Sequence, residues 1–196
     1  SISTKSTVLT DMKKLPLLLM FGLMAVVFGA LVSCGDDDDD NEAWRKANSQ
    51  WLSEMQSRKN ADGTPYYKVI VPDWDPANFV LVHYFNNTEE TKDKLSPIYT
   101  SVIDVRYKLH LYNDAAVDSS STLTTWGPGI YRDQLSKLVP GWAAALCDMH
   151  VGDTAEVIVP YQLAYGTTST TSMPAYSNLR FNIRLHDIYK YEASPY

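Results

Sequence analysis

The chain has 196 residues, of which 45% are hydrophobic and 20% charged, and its formal net charge is −6. That apolar content supplies a packed core and excludes a disordered chain, and the length suits one ordinary domain with an appendage or two small domains. The acidic balance, with no basic patch and no nucleic-acid motif, excludes a nucleic-acid-binding protein.

Met12-Lys13-Lys14 followed by the apolar run Leu15 to Val32 has the layout of a basic leader and a hydrophobic signal core, with residues 1–11 as an upstream extension. The run ends in Leu31-Val32-Ser33-Cys34-Gly35, which resembles the lipobox of bacterial lipoproteins and predicts lipidation at Cys34 and a signal peptide over residues 1–34. The competing reading is a retained membrane helix, for which an 18-residue run is only marginally long. Cleavage takes the formal charge from −6 to −8, because residues 1–34 carry three lysines against one aspartate.

Asp36 to Asp40 is an unbroken acidic run. Like charges repel and stay extended, so residues 35–41 are expected to form a solvated tether. The same residues resemble the surface-export signal that follows the lipidated cysteine in Bacteroidetes lipoproteins. The expected location is therefore an outer-membrane lipoprotein facing the periplasm or the cell surface, with the lipid anchor as its membrane contact.

Glu42 to Lys59 places Trp44, Ala47, Trp51, Leu52 and Met55 at near-helical spacing, and Asn60-Ala61-Asp62-Gly63 ends the pattern. Such a helix either buries its tryptophans on its own domain or serves an oligomeric or client interface. Tyr66 to Val71 and Phe79 to Phe85 are aromatic and β-branched runs bounded by Pro65, Pro72-Asp73 and Asn86-Asn87, and both are predicted strands. Residues 86–98 are expected to be a loop, with the sequon Asn86-Asn87-Thr88 a polar turn.

Val105, Tyr107, Leu109 and Leu111 alternate with polar residues, as do Leu179, Phe181, Ile183 and Leu185, which predicts two half-buried strands. Ala155 to Val159 is a shorter apolar strand ended by Pro160. Trp142, Ala145, Leu146 and Met149 share one helical face between Gly141 and Met149. One short helix against several antiparallel strands is an α+β arrangement. The four histidines, His83, His110, His150 and His186, show no ligand spacing, so neither a metal site nor a cofactor is expected. With Cys34 acylated, Cys147 has no partner for a disulfide.

Between Val102 and Ile188 the chain carries, in order, Tyr107, Val117-Asp118-Ser119-Ser120, Leu138-Val139-Pro140-Gly141-Trp142, Met149 to Asp153, Ala164-Tyr165-Gly166, Met173-Pro174 and Leu179-Arg180-Phe181. This series resembles the FK506-binding (FKBP-type) peptidyl-prolyl isomerases over residues 100–190, and the intervals from Tyr107 to Asp118 and from Trp142 to Tyr165 match that family. The resemblance implies an antiparallel twisted sheet wrapped around one short helix, here with an N-terminal helix and strand extension over residues 42–99. It implies catalysis without a nucleophile or a cofactor, on proline-containing peptides or unfolded envelope proteins.

In that reading Trp142 is the floor for the proline ring, with Tyr107 and Phe181 as walls and Tyr131 as the counterpart of the family's next aromatic. The N–H of Val139 and the hydroxyl of Tyr165 hold substrate carbonyls. Asp118 faces the twisting carbonyl and is oriented by the Tyr107 hydroxyl, although Asp118-Ser119-Ser120 also suits an ordinary turn. The chain departs from the family in four places. Val117 stands where phenylalanine is usual, residues 121–137 align poorly, Thr167 to Ser172 is wholly polar, and Pro174-Ala175 replaces the frequent proline pair. These departures favour a rival function as a peptide- or client-binding module without catalysis. A third possibility is a surface component of a nutrient-uptake assembly, using Trp44, Trp51, Trp74 and Trp126 to stack ligands.

Overall fold

A computed structural model describes residues 37–193, with side chains placed from residue 41 onward. The predicted signal peptide, Cys34 and the start of the acidic run lie outside the described residues. The order of elements is α1 (Asp37–Ser57), β1 (Lys68–Ile70), β2 (Val80–Tyr84), β3 (Val102–His110), β4 (Ala116–Ser119), β5 (Tyr131–Gln134), α2 (Pro140–Leu146), β6 (Thr154–Val159) and β7 (Leu179–Lys190). The strands form one antiparallel sheet in the order β1-β2-β6-β7-β3-β4, and β5 pairs with the first half of β3.

Register decides which side chains face the helix. Tyr107 lies opposite Ile183, Leu109 opposite both Phe181 and Asp118, and Val157 opposite Phe181, so alternation sends this set to one face of the sheet. Tyr107, Leu109, Val157, Phe181 and Ile183 are all buried there. Each such side chain contributes about 1.5–3 kcal/mol through removal from water.

Helix α2 closes that face. Pro140 suits its first turn because a helix has no internal partner for that N–H. Gly141 permits a close approach: a Cβ at this position would collide with the Val159 side chain and lie 3.2 Å from the Leu163 carbonyl oxygen. The first turn of α2 therefore rests directly on the end of β6.

The opposite face of the sheet is covered at its β2–β6 end by α1, whose Trp51, Leu52 and Met55 pack on Tyr67, Leu81 and Ile158. The predicted helix thus packs on its own domain, and two strands of the extension, β1 and β2, join the sheet. It begins at Asp37 rather than Glu42, so Asp37–Asp40 of the expected extended tether are helical. Acidic residues in a first turn are favoured by the helix dipole, which offsets their mutual repulsion. Among the described residues no helix is long and apolar enough to cross a membrane.

Two further differences from the sequence expectation concern short elements. Asp118-Ser119 is the end of a strand, not a turn, because Ser120 pairs back onto β3 through Ser120 N–H to Tyr107 O at 3.0 Å. The poorly aligned stretch 121–137 contains β5. Arg132 on this strand makes a bidentate ion pair with Asp104 of β3, at 2.6 and 2.7 Å. In the expected loop 86–98, Asn87 caps a short turn over Thr88–Glu90, and Asn86 reaches the buried carboxylate of Asp153 at 2.9 Å.

Candidate functional site

Four aromatic rings meet edge to face between α2 and the sheet. Trp142 of α2 lies 5.4 Å from Tyr107 of β3, 5.3 Å from Phe181 of β7 and 6.5 Å from Tyr131 of β5, each at a near-perpendicular angle. Tyr107 also meets Tyr131 edge-on at 5.8 Å. Perpendicular contacts match the positive edge of one ring to the negative face of another, so the nest holds its shape beyond simple burial. The sequence placed Tyr107, Trp142 and Phe181 together, and the structure brings them together with Tyr131.

Asp118, near the end of β4, stands at the rim of this nest. Its Oδ2 accepts the Tyr107 hydroxyl at 2.7 Å and its Oδ1 accepts the N–H of Ser119 at 2.8 Å. Ser120, which sequence reasoning did not single out, fixes that geometry: its Oγ accepts the Tyr107 N–H at 3.0 Å. The only sequence signal for it was the polar run after Asp118. Val117 is half-buried beside Asp118, in place of a larger ring.

Val139 is the N-cap of α2, and Trp142 N–H returns to its carbonyl at 2.9 Å. The N–H of Val139 has no acceptor among the described residues, which leaves a buried helix-entry donor unspent beside the nest. The Trp142 Nε1–H likewise has no partner there.

Tyr165 lies in the connection of residues 160–178 between β6 and β7, close enough to Asp118 for the carboxylate to act on it. Burial first, and the Asp118 charge second, push its phenol above the ordinary tyrosine range. Burial also raises Tyr107, helped by its bond to Asp118, and Tyr131, helped by the Asp133 charge. All three phenols stay protonated at neutral pH and so remain donors. Thr167 to Ser172 of the same connection is largely exposed, in keeping with its polar composition.

The tryptophans outside the nest have other surroundings. Trp44 meets Tyr112 at 5.0 Å, Trp51 packs on the Tyr67 cluster, Trp126 lies under Arg132 at 4.6 Å, and Trp74 is exposed. Among the described residues no group of three or more His, Cys, Asp or Glu side chains is placed to hold a metal ion.

A nest of buried aromatic rings, with one oriented carboxylate at its rim and a phenol and a backbone donor nearby, is chemically suited to an apolar ring attached to a polar backbone. Residues 96–186 match the family of FKBP-type peptidyl-prolyl cis-trans isomerases. It is 32% identical over 108 residues to the macrophage infectivity potentiator of Trypanosoma cruzi, covering 53% of this chain and 52% of that protein. It is 29% identical over 93 residues to the FKBP-type peptidyl-prolyl cis-trans isomerase FkpA of Escherichia coli, covering 47% of this chain and 33% of that protein. The chain thus spans about half, or less, of the length of these relatives.

The fold is similar to a solved peptidyl-prolyl cis-trans isomerase from Pseudomonas syringae, with a TM-score of 0.60 at 19% identity over 81% of this chain and 98% of that one. It is also similar to E. coli FkpA, with a TM-score of 0.57 at 21% identity over 79% of this chain and 62% of that one. The structural likeness therefore extends beyond residues 96–186.

Proposed function

We propose that the chain is a lipid-anchored peptidyl-prolyl cis-trans isomerase that assists the folding of envelope or surface proteins. The observation that carries the enzymatic part is the aromatic nest with Asp118 held at its rim by the Tyr107 hydroxyl.

A prolyl imide resists rotation because resonance holds its C–N bond planar, with a barrier of about 18–20 kcal/mol. At the twisted midpoint resonance is lost and the carbonyl oxygen carries less charge than in the planar amide. A water-poor socket therefore favours the twisted form over the planar one, whose polar carbonyl is better solvated outside. Trp142 serves as the floor for the proline ring, with Tyr107, Tyr131 and Phe181 around it. The Val139 N–H and the Tyr165 hydroxyl hold the flanking carbonyls, and Asp118 faces the carbonyl that turns. No covalent intermediate is needed.

A protease-free isomerisation assay on a panel of proline tetrapeptides tests the activity. Acceleration at micromolar protein is expected, and a rate equal to the uncatalysed one would sink the enzyme reading. The rival, a client-binding module of the same fold, is favoured by Val117 and the polar Thr167 to Ser172 segment, which leave the proline less enclosed. Peptide binding without acceleration would select it.

The anchor rests on the apolar run Leu15 to Val32 and on Cys34. Cys34→Ala is expected to abolish incorporation of labelled fatty acid and release the protein from membranes. Retention after alkaline extraction would instead mean that residues 15–32 stay as a membrane helix. Loss of surface protease accessibility on replacing Asp36 to Asp40 with serine and alanine would support export to the cell surface.

A further inference from the structure

The connection of residues 160–178 is long, with one short 3-10 turn over Tyr161–Leu163 inside it, and long irregular connections tend to be functional rather than merely connective. It carries Tyr165, and it is held partly by the buried Leu163 and Met173 and by the edge-on contact of Tyr161 with Tyr176 at 5.3 Å. Side-chain hydrogen bonds through Ser177 and Asn178 tie it to one face of α1.

Asn48 is buried in the middle of that face. Its Oδ1 accepts the N–H of Asn178 at 2.8 Å, while the Asn178 amide donates to the Asn48 carbonyl at 2.8 Å. The Asn178 Oδ1 in turn accepts the Tyr161 N–H at 2.9 Å, so one asparagine pair closes both ends of the connection. One turn earlier, the Trp44 indole donates to Ser177 Oγ at 3.1 Å, and that hydroxyl donates to the Pro174 carbonyl at 2.7 Å. Arg45 lies 4.8 Å over the ring of Tyr176, whose backbone has φ +61° and whose N–H bonds the Gly166 carbonyl at 3.0 Å. Gly166 is the residue after Tyr165.

We infer that α1 is a positioning element for the candidate site, in which Asn48 and Trp44 set where Tyr165 stands by clamping the base of its loop. This rests on the isomerase reading for its kinetic consequence but not for its structural one. A clamp of buried, mutually satisfied amides is specific in a way that apolar packing is not. Once one partner is removed, the other is left buried and unpaired, and the loop leaves that arrangement.

The experiment compares Asn48→Ala and the milder Ser177→Ala with Leu52→Ala, in the full chain. Leu52 packs on Tyr67, Leu81 and Ile158 and touches nothing in the loop by hydrogen bond, so its loss reports the cost of weakening α1 alone. Asn48→Ala is expected to raise amide exchange at Tyr161, Gly166, Tyr176 and Asn178 about tenfold or more, consistent with the opening of a locally held segment. Leu52→Ala is expected to leave those amides unchanged at an equal or larger loss of melting temperature.

In turnover, Asn48→Ala is expected to lower kcat more than it raises KM, with kcat/KM down roughly three- to tenfold. The same change in a Tyr165→Phe background is expected to cost less than twofold, because the residue through which it acts has already lost its hydroxyl. Equal exchange in the Asn48→Ala and Leu52→Ala proteins, or equal kinetic cost with and without the Tyr165 hydroxyl, would overturn the inference. If the wild-type chain proves inactive, the isomerase reading fails by itself and the exchange comparison still decides the clamp.

Discussion

The hydroxyl of Tyr107 donates to Oδ2 of Asp118 across 2.7 Å, joining β3 and β4 at the rim of the aromatic nest. The other oxygen, Oδ1, accepts the Ser119 N–H at 2.8 Å, so a phenol and a backbone amide together set the direction of the carboxylate. Tyr107→Phe keeps the ring and removes the phenol donor. The expected result is a loss of about 1–2 kcal/mol of stability, since a partly buried charged group loses a hydrogen bond. Chemical denaturation checks it, and a parallel fall in kcat/KM is expected from the freed carboxylate. An unchanged rate would show that the direction of Asp118 is not used.

Asp118→Ala and Tyr165→Phe are expected to slow isomerisation more than they weaken binding of a proline peptide, because only contacts that strengthen at the twisted midpoint change the chemical step. Trp142→Ala is expected to harm both and to cost about 3–5 kcal/mol of stability, the range for emptying a large buried aromatic site. Steady-state kinetics beside peptide titration separate these outcomes. A uniform loss of binding with kcat intact would assign all three to grip alone.

The pH profile follows from the raised phenols. Tyr107, Tyr131 and Tyr165 remain protonated well above the ordinary tyrosine value of about 10, so kcat/KM is expected to be flat from about pH 6 to pH 9. For stability the sign is the opposite of the usual carboxylate case. The unfolded chain releases these protons from about pH 10 while the folded one keeps them, so the contribution is complete below that pH and declines as pH rises toward the folded values. Denaturant midpoints measured from pH 8 to pH 11 check the decline, and a midpoint that rises over that range would contradict it.

Arg132 ties β5, and with it Tyr131, to the rest of the sheet. Its guanidinium holds Asp104 in two hydrogen bonds and lies 3.7 Å from the Tyr189 ring. Arg132→Ala leaves a buried carboxylate unpaired and is expected to cost about 2–3 kcal/mol. The double change Arg132→Ala with Asp104→Asn is expected to cost less than the sum of the two single changes. Additive losses in thermal unfolding would mean that the pair is not coupled.

Much of this architecture was legible because period and burial agree. Val105 to Leu111 and Leu179 to Leu185 alternate cleanly and became the two central strands, and the face of Trp142 and Ala145 became α2. Three rings of the nest, Tyr107, Trp142 and Phe181, could be named from family spacing, whereas Tyr131 lies in the poorly aligned stretch and nothing local marks it as their neighbour. The stretch 121–137 was opaque since β5 is only four residues long and carries Arg132 and Asp133 where an apolar pattern would be looked for. Its pairing is set by Asp104, a distant partner that no local period reveals. The clamp by Asn48 was hidden for a similar reason: an asparagine on an amphipathic helix is indistinguishable from a solvated one until Asn178 is beside it.

Gly141 lets the first turn of α2 rest on Val159, without a side chain between them. The backbone that bears Trp142 and the Val139 donor is therefore seated on the Val159 side chain at close range, which leaves little room at that end of the helix to slide or repack. In the proposed isomerase this close seating fixes the floor for the proline ring, while the residues on either side of the ring meet separate pieces of chain, β4 with Asp118 and the 160–178 connection with Tyr165. In that reading, preferences among clients can diverge in those two segments without moving the floor.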